Sequence, residues 1–252
     1  MVLLNSKPPI VIAHRGAAGE APENTPAAFK LALEQGCDAF ELDVHLSNDG
    51  QIVVIHDYAV DRTTDGHGDV SLLTVDELQR LDAGKWFHPS YQGEHIPTLE
   101  EVFDLTPPHI EINIEIKGGI GSGIEERLAE LLRQKNRTGS VVVSSFHFNS
   151  LAALNRIEPA LRIGLLYELW LKDHALLPKA AGIEAFSLHP SFRRLEAGQA
   201  EAAAAQGLAV YPWTVNAEAD MTAMIEAGVS GIITDYPGRL RNLLERRAAA
   251  SS

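Results

Sequence analysis

The sequence predicts an α/β fold, a (β/α)8 or TIM barrel with a small insertion after a β-hairpin at strand 2, and three observations predict it. Nine short apolar runs alternate with helical patterns, one run follows its predecessor too closely to be parallel, and the remaining eight match the strand number of a closed parallel barrel. The runs are Ile10–Ala13, Ala39–Val44, Ile52–His56, Ile110–Lys117, Val141–Ser145, Arg162–Leu166, Glu184–Leu188, Leu208–Trp213 and Gly231–Thr234. Only Asn48-Asp49-Gly50 and its flanks separate the second from the third, whereas a parallel crossover needs about a dozen residues or more. Asp-Gly is a tight-turn signal, so Ile52–His56 is expected to return antiparallel to Ala39–Val44.

The helices between the runs carry start signals. Thr25-Pro26 offers an N-cap with proline at the first helical position, and Thr74/Glu77, Thr98/Glu101 and Ser122/Glu125 have capping-box spacing. Phe29, Ala32, Leu33 and Gly36 fall at i, i+3, i+4 and i+7, one apolar face of a helix that would coat the barrel. Tyr58–Pro97 has few long apolar runs, several glycines and one short capped helix around Thr74–Leu81, which reads as an insertion over the barrel mouth. An Ala-rich helix is expected over Glu196–Gln206 and a frayed tail over Arg246–Ser252. The whole of 1–252 is expected to form one catalytic domain, with 58–97 as the insertion.

Lys and Arg number 21 against 34 Asp and Glu, a net charge of −13, and 45% of positions are hydrophobic. Phosphate backbones and anionic membranes would be repelled, so neither nucleic acid nor stable membrane insertion is expected, and any anionic substrate must find positive charge locally. Cys37 is the only cysteine, which excludes an internal disulfide and reads as a small buried hydrophobe. No long apolar h-region or run of about 18 apolar residues occurs, and a cytoplasmic protein is expected. The sequence leaves a homodimer open.

Side chains of a two-sided parallel strand alternate between barrel interior and helix layer. In Ile112-Asn113-Ile114-Glu115-Ile116-Lys117 the isoleucines suit the helix layer, sending Asn113, Glu115 and Lys117 inward; likewise Phe40, Leu42 and Val44 face out while Glu41 and Asp43 face in. A buried ion-pair network, such as Lys117 with one carboxylate, is the plain alternative, but one lysine cannot neutralise Glu41, Asp43 and Glu115. A divalent cation can, and carboxylate oxygens suit Mg²⁺ or Ca²⁺. His14 ends the first run, and hairpin geometry returns His56 to about the level of Glu41–Asp43, at the face where barrel enzymes keep their sites. Two histidines there make a general acid and base pair, with an ordinary pKa of about 6.5. Arg15 could fork onto a phosphate and Lys117 serve it as a point charge, although a surface salt bridge would also explain Arg15. Gly118–Gly123 lacks the Gly-Lys-Ser/Thr ending of a phosphate loop and reads as a flexible loop. Trp213 could pack on a glycerol or alkyl group at the mouth or be a core residue under the insertion. His189 is a second-tier candidate, while His45, His67 and His88 read as structural or exposed.

His14-Arg15-Gly16, Pro22-Glu23-Asn24-Thr25, Glu41-Leu42-Asp43-Val44, His56-Asp57, Ile114-Glu115-Ile116-Lys117 and Trp213-Thr214-Val215-Asn216 occur in that order. Together they resemble the glycerophosphodiester phosphodiesterase family, of bacterial cytoplasmic type, from about Ile10 to Leu240, including Arg62-Thr63-Thr64-Asp65-Gly66 and Leu81-Asp82-Ala83-Gly84 of the insertion. The resemblance implies a (β/α)8 barrel that hydrolyses glycerophosphodiesters to sn-glycerol 3-phosphate and an alcohol with a divalent cation. It implies Glu41, Asp43 and Glu115 as metal ligands, His14 and His56 as the acid/base pair, Arg15 and Lys117 as phosphate contacts, and Glu23 and Asn24 as ordering residues. The chain departs from the family pattern at Gly238, where Asp or Glu is common, and at His147 after Ser144-Ser145-Phe146.

By resemblance to related phosphodiesterases, the glycerol 2-hydroxyl attacks to give a cyclic phosphate; direct attack by water is the competing route, and the sequence does not choose. A lysophospholipase D or phosphodiester lyase is the alternative on the same scaffold, but no long apolar run or basic collar favours it. A silent metabolite-binding barrel is disfavoured because the full His and carboxylate set is present, and a Schiff-base aldolase because acids near Lys117 would keep it charged.

Overall fold

The protein is described from a computed structural model covering residues 8–118 and 123–250. Its strands are β1 Ile10–His14, β2 Ala39–Leu46, β3 Ile52–Val54, β4 Glu111–Ile116, β5 Val141–Ser145, β6 Arg162–Tyr167, β7 Ser187–Pro190, β8 Ala209–Val210 and β9 Gly231–Thr234. All but β3 run parallel in the order β8-β7-β6-β5-β4-β2-β1-β9, and β3 lies antiparallel on β2 with Val44 opposite Val54. The seam between the ends of that order is bridged where the Ser230 N–H donates to the Val210 carbonyl and the Ile233 N–H to the Pro212 carbonyl, each at 3.0 Å. The result is the nearly closed barrel that the run count predicts.

Helices α1 Pro26–Glu34, α2 Val75–Gln79, α3 Leu99–Leu105, α4 Ile124–Gln134, α5 Phe148–Ile157, α6 Leu177–Ala181, α7 Gln199–Ala204, α8 Glu218–Glu226 and α9 Pro237–Ala250 complete the order. The Thr25 hydroxyl caps α1, and both capping boxes, Thr74/Glu77 on α2 and Thr98/Glu101 on α3, are formed. The expected box at Ser122/Glu125 and the loop Gly118–Gly123 include residues 119–122, which lie outside the described residues. The face of α1 is narrower than its spacing suggests: Ala28, Phe29 and Ala32 are buried, Leu33 is half-buried, and Gly36 lies past the helix end at φ +74, where its missing Cβ lets the chain leave.

The strand parity holds. Phe40, Leu42, Val44, Ile112, Ile114 and Ile116 are buried in the large core between barrel and helices, each worth about 1.5–3 kcal/mol of transfer free energy. Inside the barrel a small plug of Ile12, Ala39, Tyr211 and Ile233 fills the space. A third cluster, with Val53, Ile55, Val60, Val70, Leu78, Ala83 and Ile96, seats the segment between β3 and α3 on the hairpin.

Several element ends differ from expectation, β3 among them, which stops at Val54 rather than His56. β7 begins at Ser187 rather than Glu184 and runs on to Pro190, and the ladder of β8 is confined to Ala209–Val210 because Pro212 has no N–H to donate. The Ala-rich helix is shorter, Gln199–Ala204. The expected frayed tail is instead helical through Ala250, because α9 buries Leu240, Leu243 and Leu244. Among the described residues, no helix is long and apolar enough to cross a membrane.

Candidate active site

Register brings the acids together. His14 of β1 lies opposite Glu41 of β2, and Glu41 and Asp43 lie opposite Asn113 and Glu115 of β4. All point inward at the C-terminal end of the barrel, and one carboxylate oxygen from each of Glu41, Asp43 and Glu115 falls within 4.8 Å of the others. Three buried acids this close repel: burial, Asp43 and Glu115 push Glu41 well above the carboxylate range, and burial and Asp43 push Glu115 up to about 7. Burial opposes ionisation of Asp43 too, but Arg15, Lys117 and His56 together hold its pKa below the ordinary value.

The chain turns sharply after β1. Arg15 and Asn24 adopt φ of +51° and +57°, uncommon for residues with a Cβ. Gly16 combines a φ of +83° with a close approach, since a Cβ there would sit 2.6 Å from the Ala28 carbonyl carbon. This turn aims the Arg15 N–H at Glu41 (3.1 Å) and its guanidinium at Glu23 (2.8 Å) and Asp43 (3.2 Å), while the Asn24 amide donates to Asp43 at 2.9 Å. Arg15 is therefore part of the buried cluster rather than a surface salt bridge. Lys117 contacts Glu115 at 2.8 Å, His56 Nε2 at 3.1 Å and Asp43 at 3.6 Å. A network of ion pairs is thus present, but it leaves the Oδ1 atoms of Asp43 and Asn24 buried with no hydrogen bond. Hard oxygen donors with lone pairs to spare fit a small divalent cation, with Glu41, Asp43 and Glu115 positioned to hold it.

The two histidines are built alike. His14 Nδ1 lies 2.6 Å from Asp235 and His56 Nδ1 2.5 Å from Asp57, so each ring turns its Nε2 to the site, that of His56 onto Lys117. The hairpin carries His56 as expected, and His45 supports it by donating from Nε2 to the His56 carbonyl at 3.1 Å. Burial, Arg15 and Lys117 lower the His56 pKa against the pull of Asp43 and Asp57. With Lys117 held protonated by its acidic neighbours, His56 Nε2 accepts from the ammonium and Nδ1 donates to Asp57.

Asp57, Arg62, Asn216 and Asp235 also border the site; the first three stand in the motifs quoted above, but the sequence assigned none of the four a role. Arg62 forks onto both oxygens of Glu23 (2.8 Å each) and reaches Asp57 (2.6 Å), linking the partner of Arg15 to the partner of His56. Asn216 donates to Asp235 at 2.6 Å. The available signal was positional: Asp57 adjoins His56, and Asp235 follows directly after β9 at the same barrel face.

A lobe of about 100 Å³ lies among these groups, lined by the charged cluster and by the carbon of Leu166, Trp213 and Ile233. Trp213 is half-buried, anchored by its indole N–H on the His189 carbonyl (2.8 Å) and edge-on to Phe146, so it is a wall of the lobe rather than a core residue under the insertion. A wider lobe of about 370 Å³ shares His56 and Lys117 and is bordered by Tyr58, Phe146 and His147. His189 is fully buried, bonded to the Ser187 hydroxyl at 2.8 Å, and does not line either lobe. Burial likewise pushes the Cys37 thiol up to about 12, as befits a small buried hydrophobe.

Comparison with known proteins supplies the family and the fold. The model of the glycerophosphoryl diester phosphodiesterase family matches residues 14–239. A glycerophosphodiester phosphodiesterase of Caldanaerobacter subterraneus subsp. tengcongensis is 46% identical over 240 residues, covering 94% of this chain and 98% of the relative. One from Bacillus subtilis is 35% identical, covering 90% and 84%. Among solved structures, an Oleispira antarctica phosphodiesterase in complex with the product sn-glycerol 3-phosphate superposes with a TM-score of 0.86 at 32% identity, over 94% of this chain and 97% of that one.

Proposed function

The chain belongs to the glycerophosphoryl diester phosphodiesterase family and is a glycerophosphodiester hydrolase, and from that premise we propose how its residues perform the reaction. The observation that carries the reading is a carboxylate triad within 4.8 Å, flanked by two imidazoles each tied at Nδ1 to its own aspartate. Glu41, Asp43 and Glu115 would hold Mg²⁺ or Ca²⁺, which would supply positive charge to an anionic phosphodiester that otherwise repels nucleophiles. Arg15 and Lys117 take the phosphate oxygens, where charge builds in the transition state. Glu23 and Asn24 keep Arg15 and Asp43 in place.

His14 and His56 divide the proton transfers, one removing a proton from the attacking oxygen and the other delivering one to the leaving alkoxide. Their carboxylate partners fix each ring and stabilise it when protonated. The apolar wall of Trp213, Leu166 and Ile233 receives the glycerol carbons. The product bound to the Oleispira relative, sn-glycerol 3-phosphate, is the product proposed for this chain, released with an alcohol.

The test is release of glycerol 3-phosphate from several glycerophosphodiesters by metal-stripped protein, with and without added Mg²⁺ or Ca²⁺. Release that appears only with the cation is expected. Equal release without it removes the cation from the mechanism, and no release from folded protein under either condition sinks the substrate assignment.

A further inference from the structure

Asn113 has no assigned task in the reaction, yet it is the least satisfied polar side chain of the site. It is only 5% exposed, and neither its Nδ2 nor its Oδ1 has a hydrogen-bond partner. Buried amides are nearly always paired, so an amide with both ends free points to a missing partner. Its surroundings limit what that partner is. Asn113 lies on β4 opposite Glu41 and lines the smaller lobe, whose lining also includes the carbon of Leu166, Trp213 and Ile233. At about 100 Å³ the lobe has room for a small polyol.

We propose that Asn113 reads the hydroxyls of the glycerol moiety, its amide donating to one oxygen and accepting from another while the carbon skeleton lies on Trp213 and Leu166. The inference rests on the glycerophosphodiester reading above and extends it to what makes the site choose glycerol. A vicinal diol satisfies both ends of the amide. A cation would take only Oδ1 and leave Nδ2 unpaired. A site built to bond a hydroxyl rejects the analogue that lacks it, because its own buried groups are then left without partners.

The test compares binding of sn-glycerol 3-phosphate with that of propyl phosphate, which keeps the phosphate and carbon chain but has neither hydroxyl. Calorimetry in the presence of Mg²⁺ makes the comparison independent of how the diester is cleaved. Wild-type protein is expected to favour glycerol 3-phosphate by roughly tenfold or more. Asn113→Leu, close in size, should remove that preference while leaving propyl phosphate binding within about threefold. Asn113→Ala, which leaves space for water, guards against poor folding of the leucine variant and should also lower the ratio. An unchanged ratio in the folded variants overturns the proposal. So does equal weakening of both ligands or a loss of Mg²⁺ affinity, since Asn113 would then act through packing or the cation. Wild-type protein that binds neither phosphate instead sinks the underlying functional reading, and the inference with it.

Discussion

Each imidazole of the site depends on a carboxylate, His56 on its chain neighbour Asp57 and His14 on Asp235 across the barrel. Removing either ring in His14→Ala or His56→Ala is expected to lower turnover by about 10²-fold or more with the fold intact, checked by steady-state kinetics beside a thermal melt. Near-normal turnover in either variant would take that residue out of the mechanism. Arg62 acts one step further out, because its guanidinium joins Glu23 to Asp57. Arg62→Gln is expected to cost roughly tenfold in turnover and little in stability, since half-exposed ion pairs contribute only about 0–1 kcal/mol. In an Asp57→Asn background the same change should add much less, because both act through His56; simple additivity would contradict the linkage. The inward placement of the acids and Lys117 was legible from strand parity, that of His14 and His56 from the strand end and the hairpin, whereas for Arg15 residue type allowed either a phosphate contact or a surface salt bridge. Asp235 was not, because its role exists only once β9 closes against β1 and brings it to a histidine 221 residues away. Asn113 was read as inward but without a task, which only its lack of hydrogen bonds in the folded site suggests.

At the level of elements, strands buried on both faces announce themselves as continuous apolar runs, and the short Asn48–Gly50 connection betrays the antiparallel hairpin. Boundaries were less legible where backbone hydrogen bonding overrides hydrophobicity, as at Pro212, or where tertiary packing extends a helix, as at α9. Strand β7 also carries a cost that its pattern hides. Burial pushes the His189 imidazole down to about 3, whereas in the unfolded chain it titrates near ~6.5. Below that upper value the unfolded state takes up a proton that the folded state refuses. Stability is therefore fully present above about pH 6.5 and is lost as pH falls toward 3, by about 2 kcal/mol at pH 5 from this group alone. His189→Asn should flatten the dependence by about that amount between pH 7 and pH 5 in urea unfolding. An identical slope in the two proteins would mean that His189 does not carry the effect.

For the molecule as a whole, a net charge of −13 and a triad of buried acids both oppose binding of an anionic phosphodiester. Arg15 and Lys117 offset part of the local charge, yet Glu41 remains pushed far up by burial and by its two acidic neighbours, so the cation-free fold carries an internal repulsion. A cation bound at the triad relieves it and, because the unfolded chain has no such site, stabilises the native state. At about 100 times its dissociation constant the gain is about 2.7 kcal/mol, which for a domain of this size raises Tm by roughly 5–11 °C. Glu41→Gln removes one buried acid while keeping an oxygen that can accept from the Arg15 N–H. The variant should therefore be at least as stable as wild type in chelator, yet gain much less from Mg²⁺ or Ca²⁺ and have little activity. Thermal melts of both proteins in chelator and in each cation measure the two effects separately. A variant that is stabilised by the cation as much as wild type would place the ion elsewhere. One destabilised in chelator would show that Glu41 contributes more through its bond to Arg15 than it costs by repulsion.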